Sequence, residues 1–95
     1  MAEQAVRLFA LGIICITPGA IEALLKRDLR PEPFITRHAN CDWGDLDDED
    51  RKANREALLH GTRIFSSYKL DATQKLWIIT EADRSATTIL FPEEY

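Results

Sequence analysis

The apolar residues of this chain change their period at Gly61. Upstream they recur at three- and four-residue spacing. Downstream they alternate, and a side chain that alternates belongs to a strand with one buried face. A chain that is helical before one point and extended after it builds neither a bundle nor a sandwich. It builds an α+β domain, with helices packed on one face of a mostly antiparallel sheet. With 95 residues, there is room for a single domain spanning 1–95.

The elements follow in order. Residues 6–17 are apolar and β-branched toward their end, which predicts a first strand covered on both faces, with Gly12 as a bulge. Thr17-Pro18-Gly19 ends it. Thr17 is suited to cap a helix and Pro18 to occupy its first position, where a missing N–H costs nothing. Ile21, Leu24, Leu25 and Leu29 then mark the buried face of a helix over 18–29. Pro31 stops it, and a short helix over 32–39 carries Phe34, Ile35 and His38. A loop over 39–46 leads to a third helix over 47–60, with Ala53, Ala57 and Leu58 inward and Gly61 closing it. Strands over 62–69 and 75–81 form a hairpin through Asp71-Ala72-Thr73-Gln74, and a last strand spans 86–91 before Pro92. The predicted order is β-α-α-α-β-β-β. Whether the first strand pairs centrally or at an edge is open at this level. An exposed, apolar first strand would invite a homodimer.

Charge narrows the function. The net charge is −4, with 12 Lys and Arg against 16 Asp and Glu. That argues against direct nucleic-acid binding, which relies on neutralising phosphates. The longest strongly apolar run, Leu8 to Ile16, is too short to cross a membrane, and no signal-peptide pattern surrounds it. Cys15 and Cys41 lack metal or redox spacing, so both are expected as reduced thiols in a cytoplasmic protein.

The acidity is local. Asp42, Asp45, Asp47, Asp48, Glu49 and Asp50 fall in nine residues without a basic one, while the flanking segments are each slightly positive. Such a stretch is a solvated loop and helix start, a docking patch for a protein partner, or a divalent-cation site; the EF-hand offsets are missing. Within it, Trp43 beside Gly44 is either a loop anchor plugging the core or a partner hot spot. His38, Cys41 and Asp42 are close enough in sequence to suggest a nucleophilic pair, although a structural His38 is the simpler expectation, and too few ligands exist for zinc. Glu81-Ala82-Asp83-Arg84-Ser85 reads as a turn closed by its own side chains, Asp83 on backbone amides and Arg84 on Glu81 or Asp83. Asn54 is expected to be buried and bonded to the Asp42–Asp45 loop. No phosphate loop, nucleophile elbow or dinucleotide fingerprint occurs, and no cofactor or metal is expected.

Residues 38–54, Ser66-Ser67-Tyr68 and the run from Trp77 through Tyr95 resemble a family of small bacterial plasmid-related proteins, often labelled type I restriction endonuclease subunit M. The resemblance covers nearly the whole chain. It implies a setting on plasmids and other mobile elements, and carries no catalytic residue with it. Relatives mostly have glycine where this chain has Cys41, which weighs against a thiol mechanism. The label itself fails on physical grounds. A DNA methyltransferase must hold a methyl donor, a flipped base and a duplex, and this chain has neither the size nor a Gly-rich cofactor loop nor an Asn/Asp-Pro-Pro-aromatic motif.

Three functions remain as expectations. The first is a non-catalytic accessory module that docks a protein through Asp42, Trp43, Asp45, Asp47, Asp48 and Asp50, with Arg84 nearby. The second is a counter-defence inhibitor (anti-restriction or anti-CRISPR), acting by DNA mimicry in one version. The third is a small enzyme with a site near His38 and Asp83.

Overall fold

Thr17 ends one element and begins the next: its hydroxyl accepts from the Ala20 N–H at 3.2 Å, just after strand β1 (Ile13–Ile16) and at the head of α1 (Pro18–Lys26). A computed structural model describes residues 9–95. Helices α2 (Glu32–Ala39) and α3 (Asp48–His60) follow, then β2 (Ile64–Lys69), β3 (Lys75–Thr80), β4 (Ala86–Leu90) and a single 3-10 turn, Pro92–Glu94. This is the expected order. The sheet runs β1-β4-β3-β2, with β1 parallel to β4 and the other pairs antiparallel.

Register sorts the side chains. Ile64, Ser66 and Tyr68 on β2 share a face with Leu76, Ile78 and Thr80 on β3 and with Thr87 and Ile89 on β4. All are buried, and this face carries the helices. One cluster joins it to Ala20 and Leu24 of α1 and to Phe91. A second joins Phe9, Leu11, Ala39, Trp43, Ala57 and Ile64. Among the described residues no helix is long and apolar enough to cross a membrane.

Three expectations are corrected. The first strand is not covered on both faces: β1 is the sheet edge, Ile13 is 71% exposed and Cys15 is exposed. Its regular part begins only at Ile13, because Gly12 takes φ 67 and lies against the Ser85 backbone; the predicted positions 6–8 lie outside the described residues. Helix α1 ends at Lys26, after which Asp28 turns left-handed, and only Ala20 and Leu24 of it are buried. Ile21, Leu25 and Leu29, expected inside, are exposed. On α3, Ala57 is buried as expected but Ala53 is exposed and Asn54 takes the inward place. Apolar spacing reports a stripe, and the sheet is too narrow at β1 to cover all of it.

Candidate functional site

The acidic stretch becomes two different things. Asp47 caps α3, accepting from the Asp50 N–H at 2.8 Å, and Asp48, Glu49 and Asp50 fill its first turn, where the helix dipole favours negative charge. Asp42 and Asp45 instead belong to the loop that crosses to β2. Asp42 takes a forked pair of bonds from Arg37, at 2.8 and 3.3 Å. That contact holds the Asp42 carboxyl below the usual carboxylate range and raises Arg37. Asp45 lies 3.8 Å from Lys69 and 3.7 Å from Lys75. Among the described residues no cluster of His, Cys, Asp or Glu is arranged to hold a metal ion.

Trp43, Gly44 and Tyr68 hold the loop against the fold. Trp43 is 5% exposed and packs in the second core cluster, so its ring anchors the loop from inside and offers almost no surface to a partner. Its Nε1 finds no hydrogen-bond partner among the described residues, so ring burial outweighs that unmade bond. Gly44, at φ 75, lies against β2, where a Cβ would strike the Ser67 carbonyl and the Tyr68 ring. The Tyr68 hydroxyl donates to the Asp42 carbonyl at 2.7 Å while Arg37 stacks 4.5 Å from the ring centroid. Burial pushes Tyr68 up to about 12, so it remains a neutral donor.

His38 is wholly buried. Its Nδ1 meets Ser66 Oγ at 2.5 Å and its Nε2 meets Thr80 Oγ1 at 2.9 Å. Thr80 and Thr87 hydroxyls lie 2.7 Å apart, and Thr87 donates to the Leu11 carbonyl at 2.7 Å. That last bond sets every proton in the chain. Thr80 must donate to Thr87, so His38 Nε2–H donates to Thr80 and Nδ1 accepts from Ser66. Burial lowers His38 to about 4. A neutral ring with both nitrogens committed, lining none of the concavities described below, is a structural residue. Cys41, at φ 62, occupies a conformation that favours glycine, and burial raises its thiol, the reverse of a reactive cysteine.

Asp83 stays in its turn, accepting from the Ser85 N–H at 3.0 Å. Arg84 pairs with no carboxylate among the described residues. It donates to the carbonyls of Thr62 at 2.6 Å and Ala57 at 3.1 Å, tying the β3–β4 turn to the end of α3. Asn54 does not bond the 42–45 loop. Its amide donates to the Phe65 carbonyl at 2.7 Å and accepts from the Phe65 N–H at 3.0 Å.

The outer face of β2 and β3 supplies what sequence reasoning overlooked. Phe65 and Trp77 meet edge to face at 4.9 Å, and Trp77 meets Tyr95 at 6.0 Å. Three shallow concavities lie nearby, the first at the β2 edge toward the helix-bearing side and the other two along the outer face. The first, about 380 Å³, is lined by Arg37, Asp42, Gly44, Asp45, Tyr68 and Lys69. The second, about 440 Å³, shares Asp45 and adds Asp47, Asp50, Phe65, Lys75 and Trp77. The third, about 310 Å³, shares Asp50, Phe65 and Trp77 and reaches Arg63 and Tyr95. The second and third together make a trough with an aromatic floor and an acidic wall. The strand alternation signalled it, since positions 65 and 77 must face away from the helices if 64, 66, 76 and 78 face them. Comparison of the chain with family models, curated proteins and solved structures finds no match.

Proposed function

We propose that this protein is a small interaction module without catalytic activity, and that its partner seats in the trough over β2 and β3. The observation that carries the reading is the Phe65–Trp77–Tyr95 floor beside Asp47 and Asp50. Half-buried Phe65 and Trp77 with an exposed Tyr95 beside them, ringed by charge, have the composition of an interface hot spot. Asp42 and Asp45 are already matched by Arg37, Lys69 and Lys75, which leaves Asp47 and Asp50 at the helix start to meet a basic partner. The fitting ligand is therefore a protein segment with an apolar anchor next to Lys or Arg. The resemblance to plasmid-related proteins places such a module on mobile elements, as an accessory that binds a host or plasmid protein; the left-handed Cys41, where relatives mostly have glycine, supports that kinship.

The test compares capture from host lysate by the wild type, by Trp77→Ala and by an Asp47→Asn, Asp50→Asn pair, with folding checked by circular dichroism. Asn caps a helix as well as Asp, so the double variant should fold. Loss of at least tenfold in bound partner with each variant, and weakening of the wild type by salt, is the expected result. Capture that survives Trp77→Ala sinks the proposal.

A further inference from the structure

The opposite edge of the sheet carries a second surface. Five of the seven large hydrophobic side chains that stand exposed among the described residues belong to this edge: Ile14, Ile21, Leu25 and Leu29 toward the helix-bearing side, and Ile13 on the far face of β1. An apolar groove of about 220 Å³, lined by Ile16, Ile21, Leu24, Leu25, Leu29 and Pro31, runs beside β1. Residues 8–21 contain no charged side chain, and the exposed Glu22–Lys26 pair marks the polar rim. A patch of this kind on a small domain marks an interface.

The backbone of β1 specifies the occupant. The N–H groups of Ile13 and Thr17 donate to the carbonyl of Ser85, just before β4, and to that of Ile89 in β4, at 2.9 and 3.1 Å. A parallel ladder alternates, so residues 13, 15 and 17 point into the sheet while Ile14 and Ile16 point their N–H and C=O outward. Among the described residues nothing bonds them. We propose that two copies of this chain pair these free edges antiparallel about a two-fold axis at Cys15, with Ile14 of each subunit opposite Ile16 of the other.

Only this register satisfies the edge. Placing Ile14 opposite itself brings Ile16 against Gly12, whose φ of 67 has left the strand. Placing Ile16 opposite itself brings Ile14 against Pro18, which has no N–H. Pairing Ile14 with Ile16 closes four hydrogen bonds and keeps the helix-bearing faces of both sheets on one side, so the two four-stranded sheets become continuous. It also sets α1 of each subunit, with Ile21 and Leu25, along the seam. The same uncharged patch meets itself, as an isologous contact requires. A foreign strand has no charge here to read, so the edge itself favours an equally apolar and uncharged mate.

This register places Cys15 directly opposite its own copy at a non-hydrogen-bonded position. Facing Cα atoms there stand about 4.5 Å apart, within the span a disulfide bridges. The pairing is therefore read by cross-linking. Purified full chain is first run by sedimentation under reducing conditions at about 100 μM, a concentration that populates a micromolar dimer. It is then treated with diamide, which takes two electrons and two protons from a facing thiol pair. The expected results are twice the monomer mass, and a disulfide dimer that Cys15→Ser abolishes and Cys41→Ser leaves intact. Leu25→Glu, at a side chain 71% exposed and so safe for folding, should raise the dimer dissociation constant at least tenfold; Ile14→Lys should do the same at the strand edge. A monomer at that concentration overturns the proposal. So does a dimer that Cys15 does not cross-link or that Leu25→Glu leaves unchanged. Trp77→Ala should leave the dimer untouched, which separates this result from the fate of the trough.

Discussion

The two edges of the sheet handle the same liability in opposite ways. At β2, the outward backbone groups of Phe65 and Ser67 have partners: the Asn54 amide takes both polar groups of Phe65, while the Ser67 N–H donates to the Trp43 carbonyl and the Ser67 carbonyl accepts from Asp45. A side chain and a loop thus imitate a fifth strand and seal the edge from Phe65 to Ser67, while the exposed Lys69 puts a charge at its end. At β1 the outward groups of Ile14 and Ile16 stand beside exposed aliphatic side chains, with no charge, bulge or loop among the described residues to block a neighbour. Natural sheets usually blunt an edge by one of those devices. Supplying them at one edge and not at the other fits a protein whose sealed edge supports a trough and whose open edge supports self-association.

The largest expected effect breaks the seal itself. Gly44→Ala puts a Cβ into the Ser67 carbonyl and the Tyr68 ring at a left-handed position, and should destabilise the fold by about 3 kcal/mol or more, read by urea unfolding. The loop would lift from β2 and take the trough wall with it.

Acid comes next, because the His38 chain ties the two sides together, from Ser66 on β2 through Thr80 and Thr87 to the Leu11 carbonyl ahead of β1. The unfolded ring binds a proton near 6.5 and the folded one near 4. The unfolded state therefore holds more protons between those values, and stability falls as pH drops through that window, by about 3 kcal/mol in all. Asp42 and Asp83, both held low by their partners in the fold, add a further loss only below the ordinary carboxylate range. Denaturant midpoints at pH 7, 5.5 and 4 check this, and His38→Gln should flatten the slope. A stability that is constant from pH 7 to 4 would contradict the buried neutral ring.

Asn54→Ala sharpens the comparison further. It unseals Phe65 without touching the loop and should cost about 2 kcal/mol, since two backbone groups lose partners in a shielded place. Hydrogen exchange at the Phe65 amide should accelerate while that at Ser67 stays slow. Equal acceleration at both would show that the seal is one unit and not two.

Much of this arrangement was readable before any coordinates. The hairpin around Asp71–Gln74, the Thr17 cap and the Gly61 stop are local matters, settled by side-chain period, turn chemistry and caps within a few residues. The self-closed turn at Asp83 was local too. The misses are nonlocal. Nothing near Asn54 tells that its amide reaches Phe65 and not the acidic loop. Nothing near Leu25 tells that the sheet stops short of it. The alternation of β2 and β3 already implies that Phe65 and Trp77 face outward together, whereas for Trp43 the two readings, plug or exposed hot spot, differ only in which surface its ring reaches.

The amino-acid order by itself determined which segments are helical, which are extended and in what order they come, because these depend on hydrogen bonds and sterics between near neighbours. The tertiary structure alone decided that β1 lies at the edge beside β4, that Trp43 is a plug, and that Phe65, Trp77 and Tyr95 converge. Those outcomes rest on which apolar faces compete for a limited inner surface, and that competition involves every element at once.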